Sequence, residues 1–170
     1  MMDGMKGTAI IRLNAIFTAL FVVTAALAAA YFEQPWKTIA VVVCLASFSI
    51  GVVAFLWGYW SAVQRSREDN ISVAALYFLI DKCAPKSVAR QMNGLLGVQF
   101  IAGLVTAGLR SSTDGKRGST LAFGILVPML GLGLNGLWAA FHGHFEPLSG
   151  AKSSGVSPQA SPNGQDEDHD

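Results

Sequence analysis

Long apolar runs alternate with short polar segments along the chain, and four of the runs contain no Asp, Glu, Lys or Arg. The runs are Leu13–Phe32, Thr38–Ala62, Met92–Leu109 and Thr120–Phe141, with lengths of 20, 25, 18 and 22 residues. A helix of about 20 mostly apolar residues crosses the hydrocarbon core of a bilayer. Backbone groups in lipid must be hydrogen-bonded internally, and these runs lack the alternation of barrel strands, so they predict helices.

The predicted fold is therefore all-α: an integral membrane four-helix bundle within residues 1–147. Its helices are expected at about 13–32, 38–62, 86–109 and 120–142. The apolar stretch "ISVAALYFLI" (71–80) lies between the second and third helices and is too short to span. We expect it at the membrane interface, re-entering the membrane, or packed under the bundle. Residues 148–170 are rich in Ser, Pro, Gly and acids, which predicts a disordered acidic tail.

The first run has an alternative interpretation as a secretory signal peptide cleaved at Ala28–Ala30. Its uncharged stretch is longer than the usual apolar region of a signal. It also carries Asn14, Thr18 and Thr24, which suit a helix packed in a bundle. We therefore favour a retained helix.

The distribution of basic residues predicts the orientation. Eight of the 12 Lys and Arg residues lie in the N-terminal segment, the 63–91 loop and the tail, and four lie in the other two loops. Because cytoplasmic loops carry the excess of positive charge, both termini are predicted to be cytoplasmic.

Composition narrows the function classes. Hydrophobic residues make up 52% of the 170 residues and charged residues 14%, which is too little charge for a soluble domain. A net charge of +1 argues against nucleic-acid binding. Cys44 is predicted to be apolar filler and Cys83 a free thiol in a charged loop. The expected partners are the lipid bilayer and either a second copy or other membrane proteins.

Small residues follow one face of the second helix and two neighbouring rows of the fourth. Such faces allow close backbone approach between helices in lipid, within the chain or between subunits. Pro128 is expected to kink the fourth helix. The predicted helix-packing residues are Ala40, Cys44, Ser47, Gly51, Ala54, Gly58, Gly124, Gly131, Gly133 and Gly136.

Uncharged polar residues lie within the apolar runs and are predicted to be buried: Asn14, Thr18, Gln99, Thr106 and Asn135. Two interpretations remain open for them. They hydrogen-bond across helices, which is common inside membranes, or they line a path for a solute. We favour the structural interpretation, since intramembrane charge, the stronger sign of function, is missing from these runs.

The stretch "GLGLNG" (131–136) matches the glycine pattern of dinucleotide-binding folds. That fingerprint requires a preceding strand, a helix that opens within it and an acid about 20 residues further on. Here a continuous apolar run surrounds it and a Ser/Pro-rich tail follows. The pattern is therefore interpreted as a helix-packing surface, and no nucleotide or other cofactor is expected.

The stretch "HGHFE" offers His142, His144 and Glu146, which form a three-ligand metal site if the chain turns at Gly143. Such residues more often lie at a wet helix end, and we assign no metal to them. The sequence has no arrangement typical of a nucleophilic triad and no phosphate-binding loop. No catalytic residues are predicted, and we expect that the protein is not an enzyme.

The chain resembles a set of uncharacterised small four-span integral membrane proteins of actinobacteria. The residues that carry the resemblance are "RLNAIFTALFVVTAALAA", "FLWGYWSAVQRSR", "LYFLIDKCAPKSVARQ" and "TLAFGILVPMLGLGLNGLWAAFHGHF". The resemblance covers most of residues 12–145. It implies a bacterial inner membrane and four helices, and it implies no particular activity.

Three functional hypotheses follow from the sequence. The first is a structural, interaction or accessory subunit that packs through its small-residue helix faces. The second is an oligomeric channel or carrier for a small solute. The third is a membrane sensor that uses the 63–91 loop as its cytoplasmic output. The fold class alone does not choose among them.

Overall fold

The computed structural model describes the backbone of residues 2–31, 33–109, 112–113, 116–117 and 120–147. Side chains are described for residues 7–31, 33–109 and 121–147. The tail predicted for 148–170 lies outside the described residues.

The described part of the chain forms five α-helices, and a 3₁₀ segment precedes the last of them. The helices are α1 (Met2–Tyr31), α2 (Trp36–Arg65), α3 (Val73–Phe78), α4 (Lys86–Leu109) and α5 (Pro128–His142). The 3₁₀ segment is Thr120–Leu126. Two-residue strands complete the elements: β1 (Asp69–Asn70) pairs with β4 (Glu146–Pro147), and β2 (Ser112–Thr113) pairs with β3 (Lys116–Arg117), both antiparallel.

Four spans are long and apolar enough to cross a membrane: Gly7–Tyr31, Trp36–Arg65, Lys86–Leu109 and Leu121–His142. This agrees with the predicted all-α four-helix bundle. The predicted bounds of α4 are those of the structure, whereas α1 begins earlier and α2 extends further at both ends. The predicted bounds followed the charge-free runs, which indicate the part of a helix that lies in the hydrocarbon core. Charged residues such as Arg12 are good helix formers, so a helix continues through them.

The fourth span differs from the prediction in its helix type. Pro128 begins α5, and the residues before it adopt the tighter 3₁₀ conformation in place of a kinked α-helix. Val127 N–H donates to the carbonyl of Gly124 at 3.1 Å, and Leu130 N–H donates to that of Val127 at 2.8 Å. Proline has no N–H and its ring collides with the preceding α-helical turn, which explains the change at this position.

The fourth span is the centre of the bundle. Buried residues make up 61% of its most apolar window, against 28–33% in the other three spans. α5 packs most extensively on α2 and also contacts α1, α3 and α4, whereas the 3₁₀ segment lies mainly against α4. One end of the bundle is the end at which α5 finishes. We term it the capped end; it consists of the β1–β4 pair, the adjoining ends of α2 and α4, and the chain on either side of α3.

Candidate functional site

The three glycines of "GLGLNG" each accommodate a different neighbour of α5. A methyl group at Gly131 would lie 2.7 Å from Oε1 of Gln99, on α4. One at Gly133 would overlap the carbonyl oxygen of Gly51 on α2, and one at Gly136 would overlap the ring of Tyr77. The sequence pattern is thus a packing device that draws three elements onto one helix.

The small-residue face of α2 is buried within the same chain, against α5 at Gly51 and Gly58 and against α1 and the 3₁₀ segment at Ala40 and Cys44. Its residues Ala40, Cys44, Ser47, Gly51, Ala54 and Gly58 are all buried. A methyl group at Gly51 would lie 2.5 Å from the backbone N of Leu130, and one at Gly58 would lie 2.8 Å from the carbonyl carbon of Gly136. Of the two alternatives left by the sequence, the structure therefore selects an intrachain contact for this face.

Gly124 serves the same purpose on the other side of the bundle. A methyl group at Gly103 of α4 would lie 2.7 Å from the carbonyl oxygen of Gly124. The 3₁₀ segment and α4 therefore approach backbone to backbone, as α2 and α5 do.

Gln99 is the centre of a buried polar cluster between α1, α4 and α5. Its Nε2 donates to Asn14 Oδ1 at 3.0 Å and to Thr18 Oγ1 at 2.7 Å. Its Oε1 accepts from the backbone N–H of Gly131 at 3.1 Å. The first N–H groups of a helix have no partner within it, and Pro128 places the start of α5 inside the bundle. Gln99 thus satisfies a backbone donor that the proline break leaves free.

Thr106 and Asn135 are also buried but lie outside this cluster. Thr106 Oγ1 donates to the carbonyls of Ala102 and Gly103, at 2.7 and 3.2 Å, within its own helix. Asn135 Nδ2 donates to the Tyr77 carbonyl and to Asn93 Oδ1, both at 3.0 Å. The five predicted polar residues are therefore all inside the bundle, but the structure brings only Asn14, Thr18 and Gln99 together.

The segment 71–80 is inserted into the bundle. Ala75, Leu76 and Tyr77 of α3 are buried, and the Tyr77 ring stacks on Phe55 with centroids 4.2 Å apart. Tyr77 OH donates to the Phe55 carbonyl at 3.2 Å, ten residues before the end of α2. Of the expected alternatives, a position at the membrane interface away from the bundle is wrong, because α3 packs against α2 and α5.

Two asparagine side chains bind the carboxyl end of α3. Asn135 holds the Tyr77 carbonyl, and Asn93 Nδ2 donates to the Phe78 carbonyl at 2.5 Å. The last carbonyls of a helix lack partners within it, so these amides act as a cap inside the bundle. Asn93 was not among the residues predicted from the sequence, although its position in the apolar run Met92–Leu109 was an available signal.

Arg65 joins the capped end to α5. Its guanidinium donates to the Ala140 carbonyl at 3.0 Å and to Asp69 at 2.8 Å, and it lies 5.4 Å from the centre of the Phe145 ring. A cation at a helix carboxyl terminus is favourable, since the free carbonyls there carry partial negative charge. From the sequence, Arg65 was predicted only to contribute to the positive charge of the cytoplasmic side. Its contact with α5 was not predictable, because it joins residues far apart in the chain.

Cys83 has a free thiol, as predicted, but it is buried and not solvated. Only 1% of the residue is exposed, and its Sγ donates to the Ala75 carbonyl at 3.2 Å. Burial raises the pKa of the Cys83 thiol above its usual range, and the nearby Asp81 carboxylate adds to this rise.

The metal candidates are not brought together. His142 stacks on Trp138, His144 is tied by its backbone N–H to the Cys83 carbonyl at 2.9 Å, and Glu146 lies in β4. Among the described residues, no group of three His, Cys, Asp or Glu side chains is placed to hold a metal ion.

A lateral cleft of about 870 Å³ lies between α1 and α2, with α5 as its floor. We define it by Ala9 and Leu13 of α1, Val53 and Trp57 of α2, and Leu137 and His142 of α5. All six residues lie within the candidate spans, so the cleft opens towards the bilayer.

Two buried ring nitrogens belong to His142, which lines the lateral cleft, and to Trp138, on which His142 stacks. Trp138 Nε1 and His142 Nδ1 have no hydrogen-bond partner within the described part of the chain. The two rings stack with centroids 5.6 Å apart, and α1 approaches them closely, because a methyl group at Gly7 would lie 3.2 Å from Trp138 Nε1. Of these two residues, His142 lines the cleft, so its imidazole is a polar group at the border of an otherwise apolar surface.

The fold and these contacts define a class: the chain is a multi-pass helical membrane protein with a short fifth helix packed against its bundle. No protein-family model, curated protein or solved structure matches it.

Proposed function

We propose that the chain is a non-enzymatic accessory protein of a bacterial cytoplasmic membrane, and that it binds a membrane component in the lateral cleft. The observation that carries the proposal is the cleft itself, which opens sideways between α1 and α2 and has His142 in its lining. Concave, mostly apolar pockets with a few polar groups are typical of ligand sites.

The internal packing supports a binding function over a conducting one. Gln99 bonds to Asn14, Thr18 and Gly131, and Asn135 bonds to Tyr77 and Asn93. These polar groups stabilise contacts between elements. The small-residue faces are likewise occupied within the chain, and we assign the partner to the lateral cleft.

The orientation is part of the same proposal. The capped end carries Arg65, Arg67, Lys82, Lys86 and Arg90, and the positive-inside rule places such an end in the cytoplasm. The resemblance to actinobacterial proteins supports the bacterial membrane.

The test compares two alanines of α1, both exposed: Ala9, which lines the cleft, and Ala26, which does not. A ligand that binds only the folded state stabilises it by RT ln(1 + [L]/Kd), so the Tm keeps rising with the logarithm of the ligand concentration. Added bacterial lipid extract should therefore raise the Tm of the detergent-purified chain and of Ala26→Phe progressively.

Ala9→Phe fills the cleft and should lose most of that rise. Equal Tm rises in Ala9→Phe and Ala26→Phe at every lipid concentration would contradict the proposal. Circular dichroism of both variants without lipid checks that each is folded.

A carrier or channel is the second candidate. The interrupted fourth span and the short helix α3 packed against it favour this candidate. Broken helices near the bilayer centre form substrate sites in many transporters. This alternative predicts solute flux into reconstituted liposomes, and Asn135→Leu should abolish it. Liposomes that show no flux for alkali cations, chloride, amino acids and sugars would count against it.

A further inference from the structure

The lateral cleft has an apolar body and a polar end. From Ser49 to Trp57 it follows α2 for about 12 Å, at 1.5 Å of rise per residue. His142 lines its polar end, and Gly7 of α1 lies beside that ring. An occupant that matches both parts has a hydrocarbon chain and a hydrogen-bonding head.

Arg12 adds a charge beside the cleft. It is the only charged residue between Gly7 and Tyr31, and it lies next to Leu13 and one turn from Ala9, both in the cleft lining. Its side chain is exposed and forms no ion pair within the described part of the chain. A lipid-facing arginine reaches along its own stem towards the headgroup layer.

We infer that the lateral cleft binds one anionic phospholipid from the leaflet at the capped end. One acyl chain lies along Val53, Trp57 and Leu137. The phosphate lies between Arg12 and His142, where it accepts a hydrogen bond from the imidazole and neutralises the guanidinium. This inference rests on the proposed function, because it names the membrane component that the cleft binds.

The charge pattern selects an anionic head over a zwitterionic one. Basic residues near a membrane surface attract anionic lipids, and each contributes a modest preference. Arg12 is exposed and has no acidic partner in the described chain, so an anionic head beside the cleft is favoured over a neutral one.

The experiment is native mass spectrometry of the full chain in mild detergent, titrated with dioleoyl phosphatidylglycerol or dioleoyl phosphatidylcholine. Wild type should bind one phosphatidylglycerol about fivefold more tightly than phosphatidylcholine, as expected for one basic contact. Arg12→Gln should bind both lipids equally. Ala9→Phe should lose binding of both lipids at least tenfold, and Ala26→Phe should behave as wild type.

Two results would overturn the inference while the proposed function stands. One is equal binding of the two lipids by wild type, and the other is an undiminished preference in Arg12→Gln. A co-purified polypeptide that Ala9→Phe displaces would assign the cleft to a protein. Equal lipid binding by Ala9→Phe and Ala26→Phe would remove the cleft as a site, and with it the proposed function.

His142→Phe keeps the ring stacked on Trp138 but removes its hydrogen bond. We expect His142→Phe to lower the affinity for both lipids by a similar factor, since both lipids contain the phosphate. An unchanged affinity for both lipids in this variant would contradict the placement of the phosphate.

Discussion

Gln99 exemplifies how single polar side chains hold the interior of this bundle together. It is fully buried and uses both its amide nitrogen and its oxygen, so that three helices meet at one side chain. Its partner Asn14 donates in turn to Met92 Sδ at 3.8 Å. In lipid, such bonds are each about 0.6–1 kcal/mol, so their effect lies in number and placement.

Gln99→Leu should lower the free energy of unfolding by about 1–3 kcal/mol, because it removes three bonds between helices. The measurement is titration with sodium dodecyl sulfate in mixed micelles, followed by tryptophan fluorescence. Thr106→Val is the matched control, since Thr106 bonds only within α4, and its loss should be clearly smaller. Equal losses in the two variants would contradict the role assigned to Gln99.

The burial of these residues was predictable from the sequence, whereas their partners were not. An uncharged polar residue in a charge-free run has no water to face, so Gln99 and Asn135 were expected inside. The period of a helix indicates which face a residue shares, but not which helix lies opposite. Thr106 is buried as expected, but its hydroxyl donates only to backbone carbonyls of its own helix, α4.

At the scale of elements, α3 depends on residues from two other helices. Its last carbonyls are held by Asn93 of α4 and Asn135 of α5, and Leu79 follows in the left-handed conformation with φ of 52°. Such a conformation is strained for leucine and persists only when its surroundings fix it. The two amides and the burial of Tyr77 provide that constraint.

Asn135→Leu should release α3 and expose Cys83, which lies in the same buried cluster. In a Cys44→Ala background, alkylation by N-ethylmaleimide should be at least tenfold faster in Asn135→Leu than in the parent. Because burial and Asp81 raise the pKa of the Cys83 thiol, the parent should react appreciably only above the pH at which a solvated thiol ionises. The variant should react at lower pH.

Ser49→Leu serves as the control, because Ser49 lies on α2 away from α3 and is exposed. A parent thiol that reacts at neutral pH as fast as glutathione would show that Cys83 is not buried. Equal rates in the parent and in Asn135→Leu would show that the amide does not hold α3.

The position of α3 could not be chosen from the sequence, although its existence could. "ISVAALYFLI" is too short to span and apolar on every side, which left three placements open. The choice depends on Gly136, whose missing side chain provides the space for the Tyr77 ring. That relation joins residues 59 positions apart and has no periodic signature.

At the scale of the whole molecule, the small residues close one chain on itself. The face of α2 that sequence periodicity identified is buried in full, against α5, α1 and the 3₁₀ segment of the same chain. The sequence indicated the contact surface but left open whether another subunit would occupy it. Because α5 contacts four other helices, most of its residues are buried, and the lateral cleft is a concave surface that α5 helps to line.

The unfolding free energy of Gly51→Ala in mixed micelles, measured at two protein concentrations tenfold apart, tests this closure most directly. A methyl group there would lie 2.5–2.6 Å from the backbone of Met129 and Leu130. We therefore expect the free energy of unfolding to fall by at least about 1–3 kcal/mol. The loss should be the same at both concentrations, because the contact lies within one chain. Gly97→Ala, with nothing within 4 Å, should be neutral or stabilising by up to about 1 kcal/mol. Unchanged stability in Gly51→Ala, or a loss that disappears at the higher concentration, would contradict the account.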